Sequence, residues 1–89
     1  KINHSDDFND FIKKFNYLIK IENFYYEDSA KLVKERIMAE TNINKISIDK
    51  TSANNFMLSI GPYKSLKLLR KDFEQMESLY FENLELIKK

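Results

Sequence analysis

The chain has 89 residues, enough for one domain with a single core, and its 43% hydrophobic and 13% aromatic residues exclude a disordered chain. It has no cysteine, which excludes disulfides and thiolate metal sites. Fifteen basic and fourteen acidic residues are interspersed and give a net charge of +1, which argues against a nucleic-acid binder, and no apolar run reaches the length of a membrane span.

The first fifteen residues predict a short amphipathic helix. Ser5 is a hydroxyl N-cap, and the two aspartates after it suit the positive end of the helix dipole. An apolar stripe at helical spacing follows: Phe8, Phe11, Ile12 and Phe15. The stripe either packs on the domain's own core or edge, or belongs to a linker helix whose partner lies elsewhere. We therefore divide the chain into an N-terminal helix or linker, residues 1–15, and a domain, residues 16–89.

A strand and a helix come next. Residues 17–23 alternate, with Tyr17, Ile19 and Ile21 on one face and Leu18, Lys20 and Glu22 on the other. Turn and capping residues then lead into a helix over residues 28–40. Its predicted buried stripe comprises Ala30, Leu32, Val33 and Ile37. Poor helix formers at residues 41–44 predict its end.

The second half predicts a hairpin that leads to a sharp corner. Residues 45–49 and 56–60 alternate as strands and are joined by a polar connection over residues 50–55. On the second strand Phe56, Leu58 and Ile60 face one way, and Asn55, Met57 and Ser59 face the other. Gly61-Pro62 then predicts a corner, because glycine permits backbone angles that other residues avoid and proline fixes its own φ.

A third helix and a last strand close the chain. The helix is predicted over residues 63–79 with Ser65 as its cap, and its buried stripe comprises Leu66, Leu69, Phe73 and Met76. Residues 83–88 predict a strand with Leu84 and Leu86 facing inward and Glu85 facing outward.

The order after the first helix is β-α-β-β-α-β, and its two halves are similar. Ile21-Glu22-Asn23-Phe24 and Ile60-Gly61-Pro62-Tyr63 stand at equivalent strand-to-helix corners. Two βαβ halves of this kind predict an α+β, ferredoxin-like fold, with a four-stranded antiparallel sheet and both helices on one face. The other face is then open to solvent, and we expect a partner to bind there.

The sequence contains no enzyme motif. The single histidine, His4, has no second ligand or nucleophile near it, and one glycine cannot form a phosphate-binding loop. RNA-recognition motifs share the element order but stack bases on aromatic residues of the central strands. The predicted open-face positions hold no aromatic residue; they are Leu18, Lys20, Ser47, Asn55, Met57 and Ser59. We expect no cofactor, no metal site and no nucleic-acid partner.

The residues around the two corners resemble a SPOR domain. Ile60-Gly61-Pro62-Tyr63-Lys64-Ser65, before a helix and a short strand, is similar to the second half of that domain, where a strand ends in Val-Gly-Pro-Phe. Ile19-Lys20-Ile21-Glu22-Asn23-Phe24, before a helix with the early Ala30, is similar to the first half, usually Val-Gln-Val-Gly-Ser-Phe. The resemblance covers residues 16–88. Within the family it is strongest to the C-terminal module of rare lipoprotein A-type lytic transglycosylases.

This resemblance implies a non-catalytic module that binds peptidoglycan glycan strands stripped of their stem peptides and targets its parent protein to the division septum. It implies a place in the bacterial periplasm or cell envelope, with outer-membrane anchoring through the parent. Because the chain begins at Lys1 without a methionine, we expect it to be a segment of a longer protein, of which the rest is a candidate lytic transglycosylase. We expect the module to be a monomer.

The resemblance also places the ligand contacts on the open sheet face. Carried over position by position, they fall on Lys20, Asn23, Asn55, Met57 and Glu85, and we add the neighbouring Ser59. Several residues differ from the family pattern, since Lys20 stands for a Gln, Met57 for an Arg and Glu22 for a Gly. Lys20 and Asn23 can still donate hydrogen bonds to sugars, and Met57 offers an apolar contact.

One other function stays open at this point. The same fold is compatible with a module that binds another envelope or division protein, through the N-terminal apolar stripe or the changed sheet face. A small acylphosphatase-like hydrolase would need an arginine and an asparagine at a glycine-rich anion loop. Both arginines, Arg36 and Arg70, lie in predicted helices, so the sequence does not support that site.

Overall fold

The computed structural model describes residues 15–89, which form four strands and two helices. They are β1 (Tyr17–Phe24), α1 (Glu27–Glu40), β2 (Ile46–Ser52), β3 (Asn55–Tyr63), α2 (Leu66–Ser78) and β4 (Glu85–Lys88). The predicted β-α-β-β-α-β order is confirmed. The predicted N-terminal helix, with His4, lies outside the described residues except for Phe15.

The strands form one antiparallel sheet in the order β2-β3-β1-β4. Its core face packs against both helices, and fully buried residues of this kind contribute about 1.5–3 kcal/mol each. The central members of that core are Ile19, Ile21, Ile37, Leu58, Ile60, Leu69 and Met76. Because residues of α1 and α2 join the same cluster, both helices cover one face of the sheet, as the ferredoxin-like fold predicts. No helix or strand within residues 15–89 covers the other face.

Two β-bulges shape the central pair of strands. On β1, Lys20 pairs with Ser59 and Glu22 with Leu58, so Ile21 and Glu22 together oppose one residue of β3. On β3, Ile60 pairs with Ile19 and Tyr63 with Tyr17, so Gly61 and Pro62 together oppose Leu18. A bulge shifts the alternation of side chains by one residue, so a strict period of two does not hold across it.

The corner at Gly61 requires a glycine. Its φ is +119°, and a Cβ there would lie 3.2 Å from the Tyr17 carbonyl oxygen and 3.1 Å from the Tyr63 ring. The Gly61–Pro62 peptide is cis. Tyr63 is buried beyond it, and its hydroxyl donates a hydrogen bond to Asp72 of α2. Burial, reinforced by the hydrogen bond and the charge of Asp72, raises the pKa of Tyr63 above its usual range.

The predicted boundaries differ most from the structure at the hairpin and at the corner after it. β3 continues through the bulge to Tyr63, because the Gly61 amide still donates to the Lys45 carbonyl at 2.9 Å, and α2 therefore begins at Leu66. Ser65 is its N-cap as predicted, with its Oγ accepting from the Leu68 amide at 3.4 Å. The hairpin connection is much shorter than expected, since only residues 53–54 form the turn between β2 and β3.

Three leucines predicted to be buried are exposed: Leu32 is 68%, Leu66 56% and Leu86 52% exposed. Ala30, Val33 and Ile37 alone form the inward stripe of α1, so Leu32 lies beside it. Leu66 begins α2, and Leu86 lies on the short edge strand β4, where no further strand shields it. No helix within residues 15–89 is long and apolar enough to cross a membrane.

Candidate functional site on the open sheet face

The sheet face opposite the helices, here called the open face, is ordered by cross-strand pairing. One row of paired residues runs across all four strands: Ser47, Ser59, Lys20 and Glu85. A second row runs across three strands: Asp49, Met57 and Asn23. Directly opposite side chains on one face lie within contact distance, so each row forms a continuous strip. Five of the six predicted contact residues lie in these rows, and Asn55 lies beside them on β3.

The β1 bulge brings the two predicted donors of that strand onto the open face. Lys20 and Asn23 are three residues apart, so a regular strand would place them on opposite faces. The extra residue at Ile21–Glu22 shifts the alternation of side chains by one residue. Asn23 therefore returns to the face of Lys20, where it pairs with Met57. Glu22 was predicted to share the face of Lys20, and this is wrong because it lies in the bulge. Its Oε2 accepts from Asn83 Nδ2 at 3.4 Å, and its Oε1 accepts from the Asn23 amide at 3.1 Å.

A polar cluster lies where β1, β2 and β3 come together at the hairpin end of the open face. Asn55 Nδ2 donates to Thr51 Oγ1 and lies 3.4 Å from Asn23 Oδ1. These bonds orient the side-chain amide of Asn55 and occupy the side-chain oxygen of Asn23, Oδ1. Within residues 15–89 the side-chain Nδ2 of Asn23 has no acceptor, whereas its backbone amide bonds to Glu22, so Nδ2 can donate to a ligand.

Lys20 and Glu85 form an ion pair at the other end of this face. Lys20 Nζ lies 3.7 Å from Glu85 Oε2, and their side chains are 21% and 64% exposed. A pair this accessible contributes at most about 1 kcal/mol, because water and salt screen it. A ligand can therefore separate the two groups at little cost and use each for a hydrogen bond.

Two residues predicted to be exposed on the open face are buried. Ser59 is 1% and Leu18 is 7% exposed, so the prediction of their exposure is wrong. Both lie on central strands with a strand on either side, where neighbouring side chains shield them laterally. Within residues 15–89 the Ser59 Oγ has no hydrogen-bond partner. Its role as a direct ligand contact stays a prediction.

Sequence reasoning missed two polar residues of β2. Asp49 lies opposite Met57, and Thr51 bonds to Asn55. The alternation of residues 45–49 contained the signal for Asp49, since it shares the phase of Ser47. Thr51 carried no such signal because it fell in the predicted loop. No group of His, Cys, Asp or Glu within residues 15–89 is arranged to hold a metal ion.

The comparisons with known proteins bear on the fold. No family model and no curated protein matches this chain. Among solved structures, the crystal structure of the RlpA SPOR domain from Pseudomonas aeruginosa is similar, with a TM-score of 0.64 and 18% sequence identity. The match covers 83% of this chain and 99% of that one. The chain therefore has the fold of a SPOR domain.

Proposed function

We propose that this domain is a non-catalytic module that binds peptidoglycan, with a glycan strand lying across the open face. The observation that carries the proposal is the β1 bulge. It places Lys20 and Asn23 on one face beside Met57, at three positions where the resemblance to SPOR domains places ligand contacts.

The chemistry of these side chains suits a sugar chain. Asn23 and Asn55 present amides, Lys20 an ammonium group and Asp49 a carboxylate, which together can bond hydroxyl and acetamido groups. Met57 lies between Asp49 and Asn23 and offers a polarizable surface to the C–H face of a ring. A single hydrogen bond contributes about 0.5–1.5 kcal/mol, so affinity must come from several contacts along the strand.

The preferred ligand is a glycan strand without stem peptides, which can lie flat on the sheet. We place the module in the bacterial envelope, as part of a longer protein that it directs to the division septum. The resemblance to SPOR domains supports the choice of ligand, the location and the septal role. All three depend on glycan binding, which can be measured directly.

Retention on sacculi tests the proposal. The isolated chain should co-sediment with sacculi, and more strongly after an amidase has removed the stem peptides. Lys20→Ala with Met57→Ala should lower the affinity about tenfold, because two lost contacts amount to roughly 1.4 kcal/mol.

A matched control comes from α1, on the other side of the molecule. Lys31→Ala with Met38→Ala removes the same two residue types from an exposed helix surface and should leave retention unchanged. Equal retention of the two double variants, or no retention of the native chain on stripped glycan, would contradict the proposal.

A second candidate is a protein-interaction module. Leu66 of α2 and Leu86 of β4 are more than half exposed and line one groove with Phe73. Exposed apolar side chains grouped in this way are typical of a protein contact. Glycan binding predicts that Leu86→Ser leaves sacculus retention unchanged, since Leu86 lies on the helix side of the sheet.

A further inference from the structure

Strand β4 forms one edge of the sheet, and no other strand of residues 15–89 lies on its outer side. Its pairing with β1 decides which of its backbone groups point outward. The Lys89 amide donates to the Asn16 carbonyl at 2.8 Å, so the odd-numbered residues of this strand are directed toward β1. The N–H and C=O groups of Leu86 and Lys88 therefore point outward, where they can pair with a further strand.

A groove runs beside this edge, between β4 and α2 on the helix side of the sheet. Its apolar lining includes Phe73 and Leu86, and Leu86 is 52% exposed. Its charged lining consists of Glu74, Glu77 and Arg70, so two carboxylates and one guanidinium give the groove a net charge of −1. Among the described residues neither carboxylate is in an ion pair. The groove therefore suits a lysine, whose apolar stem can lie on the leucine while its ammonium group reaches a carboxylate.

Strand β4 itself supplies such a lysine to a second copy of the chain. Leu86 and Lys88 lie on the helix side of the sheet, and Glu85, Ile87 and Lys89 lie on the open face. When two β4 strands pair antiparallel about a two-fold axis at Ile87, Lys88 of each copy lies opposite Leu86 of the other. These are the residues whose backbone groups point outward, so each pair exchanges two hydrogen bonds.

The same register matches charges on the open face. Glu85 of each copy lies opposite Lys89 of the other, and the two Ile87 side chains meet on the axis. The Glu85 side chain is 64% exposed, so it can face Lys89 of the second copy while it stays near its own Lys20. Charge complementarity on both faces of the sheet therefore favours a second copy of this chain over an unrelated strand.

We propose that the chain forms a symmetric dimer in which the two β4 strands pair antiparallel about Ile87. The two four-stranded sheets then become one sheet of eight strands, with both open faces on the same side. This dimer replaces the monomer expected from the sequence, in which the exposed edge of β4 is not visible. The contact contains no sugar, so it is independent of the proposed function.

The mass of the native chain in solution, measured by sedimentation equilibrium, tests the dimer. It is expected to rise with concentration toward twice the mass of one chain. Lys88→Glu brings a carboxylate to Glu74 and Glu77 of the other copy and should raise the dissociation constant about tenfold, because the change occurs twice in a symmetric dimer. Lys45→Glu makes the same change of charge at the exposed start of the opposite edge and should leave the dissociation constant unchanged. A mass of one chain at concentrations up to about 1 mM, or equal dissociation constants for the two variants, would overturn the proposal.

A disulfide tests the register, because the chain has no cysteine of its own. In Ile87→Cys the two cysteines lie directly opposite each other, with their Cα atoms about 4.5 Å apart, which a disulfide can bridge. In Leu86→Cys the two Cα atoms lie about 8 Å apart, beyond the reach of a disulfide. Ile87→Cys is therefore expected to form a cross-linked dimer under mild oxidation. We expect neither Leu86→Cys nor Ser47→Cys, on the opposite edge strand, to do so at a comparable rate. A cross-link that forms as fast through either control would overturn the pairing of β4 about Ile87.

Discussion

Ser59 is a buried polar residue in the middle of the sheet. Its hydroxyl oxygen is buried on β3 and has no hydrogen-bond partner among the described residues. A buried polar group in that state costs about 1–3 kcal/mol, and alanine would remove the group while keeping its Cβ. Ser59→Ala is therefore expected to raise the free energy of unfolding by about 1 kcal/mol, measured by denaturant titration.

The cross-strand neighbour of Ser59 provides the control. Ser47 pairs with it but is exposed on the edge strand β2. Ser47→Ala should change the free energy of unfolding by less than about 0.5 kcal/mol, as exposed substitutions usually do. A loss of stability in Ser59→Ala would show that its hydroxyl does have a partner.

For single residues, the sequence predicts the face of the sheet on which a side chain lies better than it predicts how exposed that side chain is. Alternation assigned Lys20, Asn55 and Met57 to the open face, because a strand has a fixed period of two. It could not predict the β1 bulge, since Glu22 stands where the SPOR pattern has a glycine and gives no sign of an irregular strand. It could not predict the burial of Ser59 either, because burial depends on side chains that lie far away in the sequence.

The C-terminus of α2 has a capping motif that the sequence did not indicate. Leu79 ends the helix, and Tyr80 follows with a φ of +68°. The Phe81 amide bonds to the Met76 carbonyl at 3.3 Å and the Tyr80 amide to the Glu77 carbonyl at 3.0 Å, which is the Schellman motif. Glycine usually occupies the left-handed position, because a side chain there costs about 1–2 kcal/mol.

Tyr80→Gly is therefore expected to stabilise the domain by about 0.5–1 kcal/mol, since part of the relief is offset by the greater freedom of glycine in the unfolded chain. The lost side chain contributes little packing because it is 87% exposed. Tyr80→Ala is the matched control, as it removes the ring but keeps the strained backbone, and it should give no gain. Thermal or denaturant unfolding of both variants decides the matter, and equal stability of the two would contradict the backbone explanation.

Within residues 15–89 the helices and strands were predictable in number and order but not at their ends. The apolar periodicity of α2 was clear, yet Tyr63 was assigned to it although it ends β3. Gly-Pro normally interrupts a strand, and here a bulge keeps both residues in the sheet. Long-range contacts decided this boundary, chiefly the bond from Gly61 to Lys45 and that from Tyr63 to Asp72.

The whole topology could be predicted because it repeats. Each half is a strand, a corner and a helix, and two such halves have few ways to share one sheet. The face left open followed from the same argument.

The distribution of charge over the molecule predicts how binding depends on salt. The paired rows of the open face carry Lys20, Asp49 and Glu85, so these described residues present no excess of positive charge to the carboxylates of a stripped glycan. Attraction between charges therefore contributes little. Sacculus retention is expected to stay constant between about 0.1 M and about 1 M salt, over which the Debye length falls from about 10 Å to about 3 Å.

A steep loss of retention with salt would point to a different surface. Lys67, Arg70 and Lys71 lie together on the exposed side of α2 and are the natural site for a ligand held by charge. Lys67→Gln with Lys71→Gln would then abolish retention, and Lys20→Ala with Met57→Ala would not. The two double variants, each measured at low and high salt, therefore assign the glycan to the sheet or to the helix, because hydrogen bonds and apolar contacts persist under conditions that screen surface charge.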